Sequence, residues 1–532
     1  MSESKTLENK TSEFKFGKLL VKNTFSNYLS TVVKIGSSIF LTYFLVKGLG
    51  PEFYGFWALL WSVFVYSLLL DLGFGKAVEK YSAEVSFSGD MDKFNSIIST
   101  IIFGYCIVAF FVLAIGFGMS FYLGDIFTLN VGEYARNTVY YRKVFMLFTL
   151  GIAIVFPTGV FPTILLGMQR SYLRNYVIVA NKLIELAGVW YIFHTEHSLM
   201  TLIIFTTSIN FLSNIVMAIM AFRLMPGLKL RFRFIKLKTL KYIADFSFYT
   251  YLLTICDLII FQTDRVVLGI FVGMGSVAMY QIATKVPQLI SIASTQFQSN
   301  LAPIAAILHK SGDKEKLEET MFNSTRITVF ICTGVFTVFI PLVHPILYAW
   351  LKINDSETIT LAYILIASMF VLIIFRDTAK HFLLMTGYHR LLTKVAIIEA
   401  GSNLLLSIIF IKLYGAIGVG IGTLIPNVII SLMIIFPLAA KLSGISTFGY
   451  MLKVYLPVLL FSTPITLLII YATHDVPYYK WTFLALFITA STTGILYLGI
   501  GWVVYVSRAE KKQLCSFLPN FVPKKLIKLL IF

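Results

Sequence analysis

The chain has 532 residues, 58% of them hydrophobic and only 13% charged, with a mean hydropathy of +0.82. That is too apolar and too poor in charge for a water-facing globular surface, so lipid is the expected solvent. The formal charge of +18 would suggest nucleic acid on a soluble protein; on a membrane chain it is sorted by the side each cation faces, and no nucleic acid is expected.

A hydrocarbon core of about 30 Å takes roughly 20 residues of helix. Runs of that length predict spans at 25–46, 54–72, 97–123, 144–166, 173–191, 199–222, 247–271, 276–301, 325–350, 360–385, 395–413, 415–437, 454–472 and 481–506. The fold expected is therefore an all-α polytopic membrane protein with about fourteen transmembrane helices. The first span is too long for a signal-peptide core and reads as an uncleaved anchor. An even count puts both termini on one side. When cations near a span end are assigned to the adjoining loop, 32 of the 44 Lys and Arg fall on the side of the termini and 7 on the other. The positive-inside rule makes the first side cytoplasmic, in a cell membrane crossed many times.

Two of the cytoplasmic segments look amphipathic. Residues 228–243 alternate cations with apolar residues before turning helix-like, and 521–532 read similarly; anionic inner-leaflet lipids are their expected partners. Topology signalling and partner docking are the competing readings.

The chain also echoes itself. Ser88-Gly89-Asp90 after span 2 returns as Ser311-Gly312-Asp313 after span 8, an offset of 223. Tyr54 after Gly50 returns as Tyr280 after Gly275, and Phe25-Ser26 as Phe246-Ser247, at nearly the same offset. Spans 1–6 and 7–12 thus read as two copies of one unit, related by an axis along the membrane normal with a cavity between them. The implied division is a cytoplasmic N-terminal segment 1–24, an N-lobe 25–224, a basic linker 225–246, a C-lobe 247–438, two extra helices 439–506 and a basic tail 507–532.

Ionisable groups inside spans are costly enough to mark function by default, with a packing ion pair as the alternative for each. Lys34, Lys182 and Lys285 each lie nine residues into a span, about 13 Å deep, and Asp257 lies ten residues into its own. Lys182 and Glu185 are i, i+3 and can face each other as an ion pair or a gate. Asp257, Asp264 and Arg265 form one stripe of span 7, Arg376 and Asp377 lie toward the cytoplasmic end of span 10, and Glu399 lies early in span 11. Asp71 ends span 2 near the interface, where an acid is cheap, and reads as structural.

Enzyme signatures are missing. There is no G-x-x-x-x-G-K-[ST] and no HExxH, the seven histidines have no ligand spacing, and Cys106, Cys256, Cys332 and Cys515 form no CxxC pair. No ATPase, zinc site, disulfide framework or cofactor is expected, and the chain does not read as an enzyme.

Leu49-Gly50-Pro51-Glu52-Phe53-Tyr54-Gly55, then Leu70-Asp71-Leu72-Gly73-Phe74-Gly75, Tyr81 and Ser88-Gly89-Asp90 resemble the first-helices signature of bacterial polysaccharide flippases. These belong to the multidrug/oligosaccharidyl-lipid/polysaccharide exporter superfamily. Asp257, Asp264-Arg265, Gly269, Gly273, Tyr280, Lys285 and Pro303 extend the resemblance through the second half.

The resemblance implies a V-shaped pair of six-helix lobes that flips a polyprenyl-(pyro)phosphate-linked oligosaccharide, of the O-antigen or capsule type, to the outer leaflet by alternating access. It implies glycan polymerase or glycosyltransferase partners as well. An anionic pyrophosphate needs cations along its path, and Lys34, Lys182, Arg265, Lys285 and Arg376 are the candidate substrate-binding residues. With no ATP motif, a proton or cation gradient is the expected energy source, with Asp257, Asp264, Glu185 and Glu399 as candidate coupling or gating acids. The competing functions are an ion-coupled drug or small-molecule exporter of the same superfamily and a non-transporting membrane component of glycan assembly.

Overall fold

The computed structural model describes residues 2–67, 74–127, 138–195, 198–298, 301–507 and 511. Asp71, Cys515 and the tail at 521–532 lie outside the described residues. Helices account for nearly all of the described chain, and no strand occurs among its described residues. The protein divides into two compact units, Met1–Gln281 and Ile282–Phe532.

Ten helices among the described residues are long and apolar enough to cross a membrane. Two of them bend at a glycine. Helix α1 (Ser2–Ser67) breaks at Gly50, whose φ of 74° is open to glycine and costly for other residues, and Pro51 restarts the helix. This is the gap that the sequence leaves between spans 1 and 2.

The first unit continues through α2 (Phe74–Ser88), α3 (Met91–Phe121), α4 (Thr138–Val155), α5 (Val160–Gly167), α6 (Ser171–Thr195), α7 (Leu199–Leu224) and α8 (Leu237–Phe271). One apolar core joins α2, α3, α5 and α7, with Val78, Ile98, Ile101, Ile164 and Ala221 shut off from solvent. Helix α6 lies along α1 and is keyed to it by a polar seam. Asn175 Nδ2 donates to Ser26 Oγ (3.0 Å) and Asn27 Oδ1 (2.6 Å), while Asn23 bridges the Gln169 carbonyl and the Tyr172 N–H. The unit runs past the basic linker that the sequence takes as the lobe boundary, because α8 also packs on α1. A Cβ on Gly55 would stand 1.9 Å from the Met274 carbonyl oxygen, an approach that only glycine allows.

The second unit begins just inside the end of α9 (Met274–Ala283) and runs through α10 (Lys285–Gln298), α11 (Leu301–Ser311), α12 (Lys314–Leu351), α13 (Ser356–Leu372), α14 (Thr378–Met385) and α15 (His389–Ile430). It closes with α16 (Phe436–Leu442), α17 (Leu456–His474) and α18 (Phe483–Val504). Helix α15 is the second bent span, broken at Gly415 (φ 58°) where the sequence separates spans 11 and 12. The last two helices are fastened to α12. Tyr497 donates to the Phe330 carbonyl (2.6 Å) and its ring stacks on Phe330, and Arg326 reaches the Tyr505 carbonyl (2.9 Å).

Among the described residues three wide π-turns interrupt this unit, at Ile373–Asp377, Ser431–Ile435 and Met451–Tyr455. They meet around one aromatic cluster, in which Phe375 stacks on Tyr455 at 4.8 Å and Phe436 touches Phe375, Tyr450 and Tyr455. Such turns concentrate at functional places in helices.

The sequence echo is a shared local geometry. Gly89 and Gly312 take φ values of 71° and 74°, and the aspartate after each caps the next helix, Asp90 accepting from Lys93 N–H and Asp313 from Lys316 N–H, both at 3.0 Å. Gly50 and Gly273 both have positive φ and are again 223 residues apart, so the partner of Gly50 is Gly273 rather than Gly275.

Candidate functional site

Helices α1, α4, α6 and α7 enclose a cavity of about 460 Å³ within the first unit. Lys34 enters from α1, and Arg174, Ile178, Asn181 and Lys182 from one face of α6. Residues 174, 178 and 182 repeat every fourth position, so the α1–α6 seam that fixes the helix also fixes all three. The three cations thus line one cavity.

The rest of the wall is amide, hydroxyl and aromatic. Asn181 Nδ2 donates to Ser213 Oγ (2.7 Å) and Asn214 Nδ2 to Thr158 Oγ1 (3.0 Å), with Asn210 beside them. Trp61, Phe64 and Phe148 form the apolar side, Trp61 standing edge-on to both rings. Amides and hydroxyls offer donors and acceptors at once, and aromatic faces suit the C–H face of a sugar ring, while the cations suit an acidic group.

Lys182 Nζ lies 2.5 Å from Glu185 Oε2, the ammonium side chain 31% exposed and the carboxylate 10%. The acid stands behind the cation, not in the cavity lining. The i, i+3 contact expected from the sequence is thus made. Arg174 is not among the site residues that the sequence predicts. Its position one residue into span 5 assigns it to the cytoplasmic loop by depth; the signal that finds it is its eight-residue spacing from Lys182 on one helical face.

The remaining candidates fall elsewhere. Arg265 is buried in the α8–α9 hairpin, where Nε donates to Gln281 Oε1 (2.6 Å) and an Nη to Gln262 Oε1 (2.7 Å) and the Phe261 carbonyl (3.2 Å). Its neighbour Asp264 accepts a short hydrogen bond from the Tyr280 hydroxyl. Asp257, two turns earlier on α8, is half-buried, as is Lys285 at the start of α10.

In the second unit Arg376 lies on the first π-turn and bonds Glu399 of α15 at 2.6 Å; the two side chains are 7% and 1% exposed. Glu399 Oε2 and, one turn on, Asn403 Oδ1 are buried without a hydrogen-bond partner. Among the described residues no cluster of His, Cys, Asp and Glu could hold a metal ion.

Residues 20–304, more than half of the chain, match the family described as Polysaccharide biosynthesis protein. The chain belongs to that family. It is 21% identical over 407 residues to a Salmonella typhi protein named "Putative O-antigen transporter", covering 75% of this chain and 91% of that one. Its fold is similar to that of the lipid II flippase MurJ in an inward closed conformation, with a TM-score of 0.68 at 16% identity over 91% of this chain and 99% of the other. It is also similar to an inward-facing multidrug resistance MATE transporter of the MOP superfamily, with a TM-score of 0.64 at 16% identity over 78% and 98%. The chain is therefore a predominantly helical, multi-pass membrane protein with the MOP-superfamily fold, as the resemblance in its sequence implies.

Proposed function

We propose that the protein flips a polyprenyl-(pyro)phosphate-linked oligosaccharide from the cytoplasmic to the outer leaflet by alternating access, for surface polysaccharide synthesis. The observation that carries this reading is the cavity of Lys34, Arg174 and Lys182 facing amides and aromatic rings. A phosphate crossing hydrocarbon needs opposite charge, and sugar hydroxyls need groups that both donate and accept. Family membership and the relative named for O-antigen transport agree with that cargo.

The 32-to-7 cation asymmetry supports cytoplasmic termini. The paired Ser-Gly-Asp turns support two copies of a six-helix unit followed by two further helices. Glu399 is our candidate for coupling to a proton or cation gradient, because one oxygen holds Arg376 and the other is buried and unmatched. Glycan polymerases or glycosyltransferases are the partners that such a cargo calls for.

In a deletion strain complemented with variants, Lys34→Ala and Arg174→Ala should each lower surface polysaccharide roughly tenfold or more, the effect of losing one charge-assisted hydrogen bond of about 1.5–3 kcal/mol. Normal polysaccharide from the folded triple variant K34A/R174A/K182A would overturn the reading. The MATE-like fold gives a drug exporter as the rival. Cationic drugs are repelled by this cavity, so a multidrug-sensitive deletion strain with normal polysaccharide would favour the rival.

A further inference from the structure

The segment between α7 and α8 is held to the protein by its backbone, leaving its cations outward. The Gly227 carbonyl and Lys229 N–H bond Asn95 (both 2.9 Å), the Arg231 N–H bonds Ser99 (3.4 Å), the Phe234 carbonyl accepts from Ser96 (2.8 Å), and the Lys236 N–H bonds Thr100 (3.0 Å). Four polar residues on the first turns of α3 thus pin residues 227–236 at the start of a membrane span. Lys229, Arg231, Arg233 and Lys236 are exposed, and Phe232, between the two arginines, is 87% exposed. Beside them opens a cavity of about 780 Å³, with Arg231, Arg233, Lys236 and Lys93 in its walls against Asp90 and Asp92.

A pinned, exposed phenylalanine among cations is poorly suited to water and well suited to a membrane interface. We infer that this segment binds an anionic glycerophospholipid of the cytoplasmic leaflet, its phosphate between Arg231, Arg233 and Lys236 and its acyl chains against Phe232 and Leu230. A free phosphate would use the cations but not the phenylalanine. Asp90 and Asp92 make the far wall unsuitable for a soluble polyanion, and Asp90 is already engaged in capping α3. Contact with anionic lipid, which the sequence implies for the whole linker, is thereby narrowed to a fixed site of three cations and one ring. The site is independent of the cargo cavity.

The test uses the full chain in phosphatidylcholine nanodiscs with phosphatidylglycerol as probe, and native mass spectrometry to count retained probe. The variant R231Q/R233Q/K236Q should retain phosphatidylglycerol roughly a hundredfold more weakly, each interfacial cation contributing about a tenfold or smaller factor. The lysine variant R231K/R233K, with charge intact, should retain most of it. Equal retention by wild type and the glutamine variant overturns the proposal. So does displacement by inorganic phosphate with equal potency from wild type and Phe232→Ser, which would mark a soluble-phosphate site. Should the triple variant unfold, Phe232→Ser alone must weaken retention about tenfold, and unchanged retention there overturns the proposal equally.

Discussion

The cavity of the first unit and the Arg376–Glu399 pair of the second set the same residue types at comparable places in spanning helices and use them in opposite ways. Lys34, Arg174 and Lys182 line open space, and Glu185, the acid that Lys182 touches, is not part of that lining. Arg376 and Glu399 are closed on each other, at 7% and 1% exposure. The first arrangement keeps positive charge available to a ligand. The second cancels charge inside the protein and leaves one carboxylate oxygen unmatched. An intramembrane charge is therefore not one kind of signal: the companion it finds decides between binding and internal pairing.

Variants can break that contrast at several strengths. Glu399→Ala removes the carboxylate that Arg376 bonds at 2.6 Å in a buried setting and should cost about 3 kcal/mol, read by chemical denaturation of the detergent-solubilised protein, whereas R376M/E399M should cost less. An equal loss in the double variant would mean that the pair is not what holds the first π-turn to α15. The two helix caps allow a cleaner comparison of the units. Asp90→Ala and Asp313→Ala should each cost about 1 kcal/mol, and a large inequality would argue against equivalent roles for the repeated turns. Glu185→Ala should cost about 1 kcal/mol or less, because Lys182 keeps access to the cavity. Lys34→Ala should move stability by no more than about 0.5 kcal/mol while reducing polysaccharide output. A large stability loss there would turn Lys34 into a packing residue and dissolve the contrast.

Much of the fold is legible in the sequence because it depends on apolar length, and length survives without knowledge of neighbours. Gly50-Pro51 and Gly415 announce their bends through residue chemistry, and Ser-Gly-Asp announces a glycine turn followed by a cap. Depth of a charge can be read in the same way. Direction around the helix cannot, which is why Arg376 and Glu399, on successive spans, read as separate cations and acids until the structure pairs them. Arg174 shows the converse: depth alone assigns it to a loop, and only its alignment with Lys182 brings it into the cavity. The contact of the start of α9 with α1 depends on a close backbone approach at Gly55 that no hydropathy pattern encodes.

The three π-turns carry a consequence for ancestry. A turn closed by an i→i+5 bond holds one residue more than its α-helical counterpart, so Ile373–Asp377, Ser431–Ile435 and Met451–Tyr455 each hold a surplus residue inside a span. A descendant that lost the surplus would keep its span and its loops, and would rotate every side chain beyond the deletion by about 100° around the helix axis. Single-residue gaps within these three helices of relatives would then be records of re-aimed side chains around the Phe375, Phe436, Tyr450 and Tyr455 cluster, rather than faults of alignment.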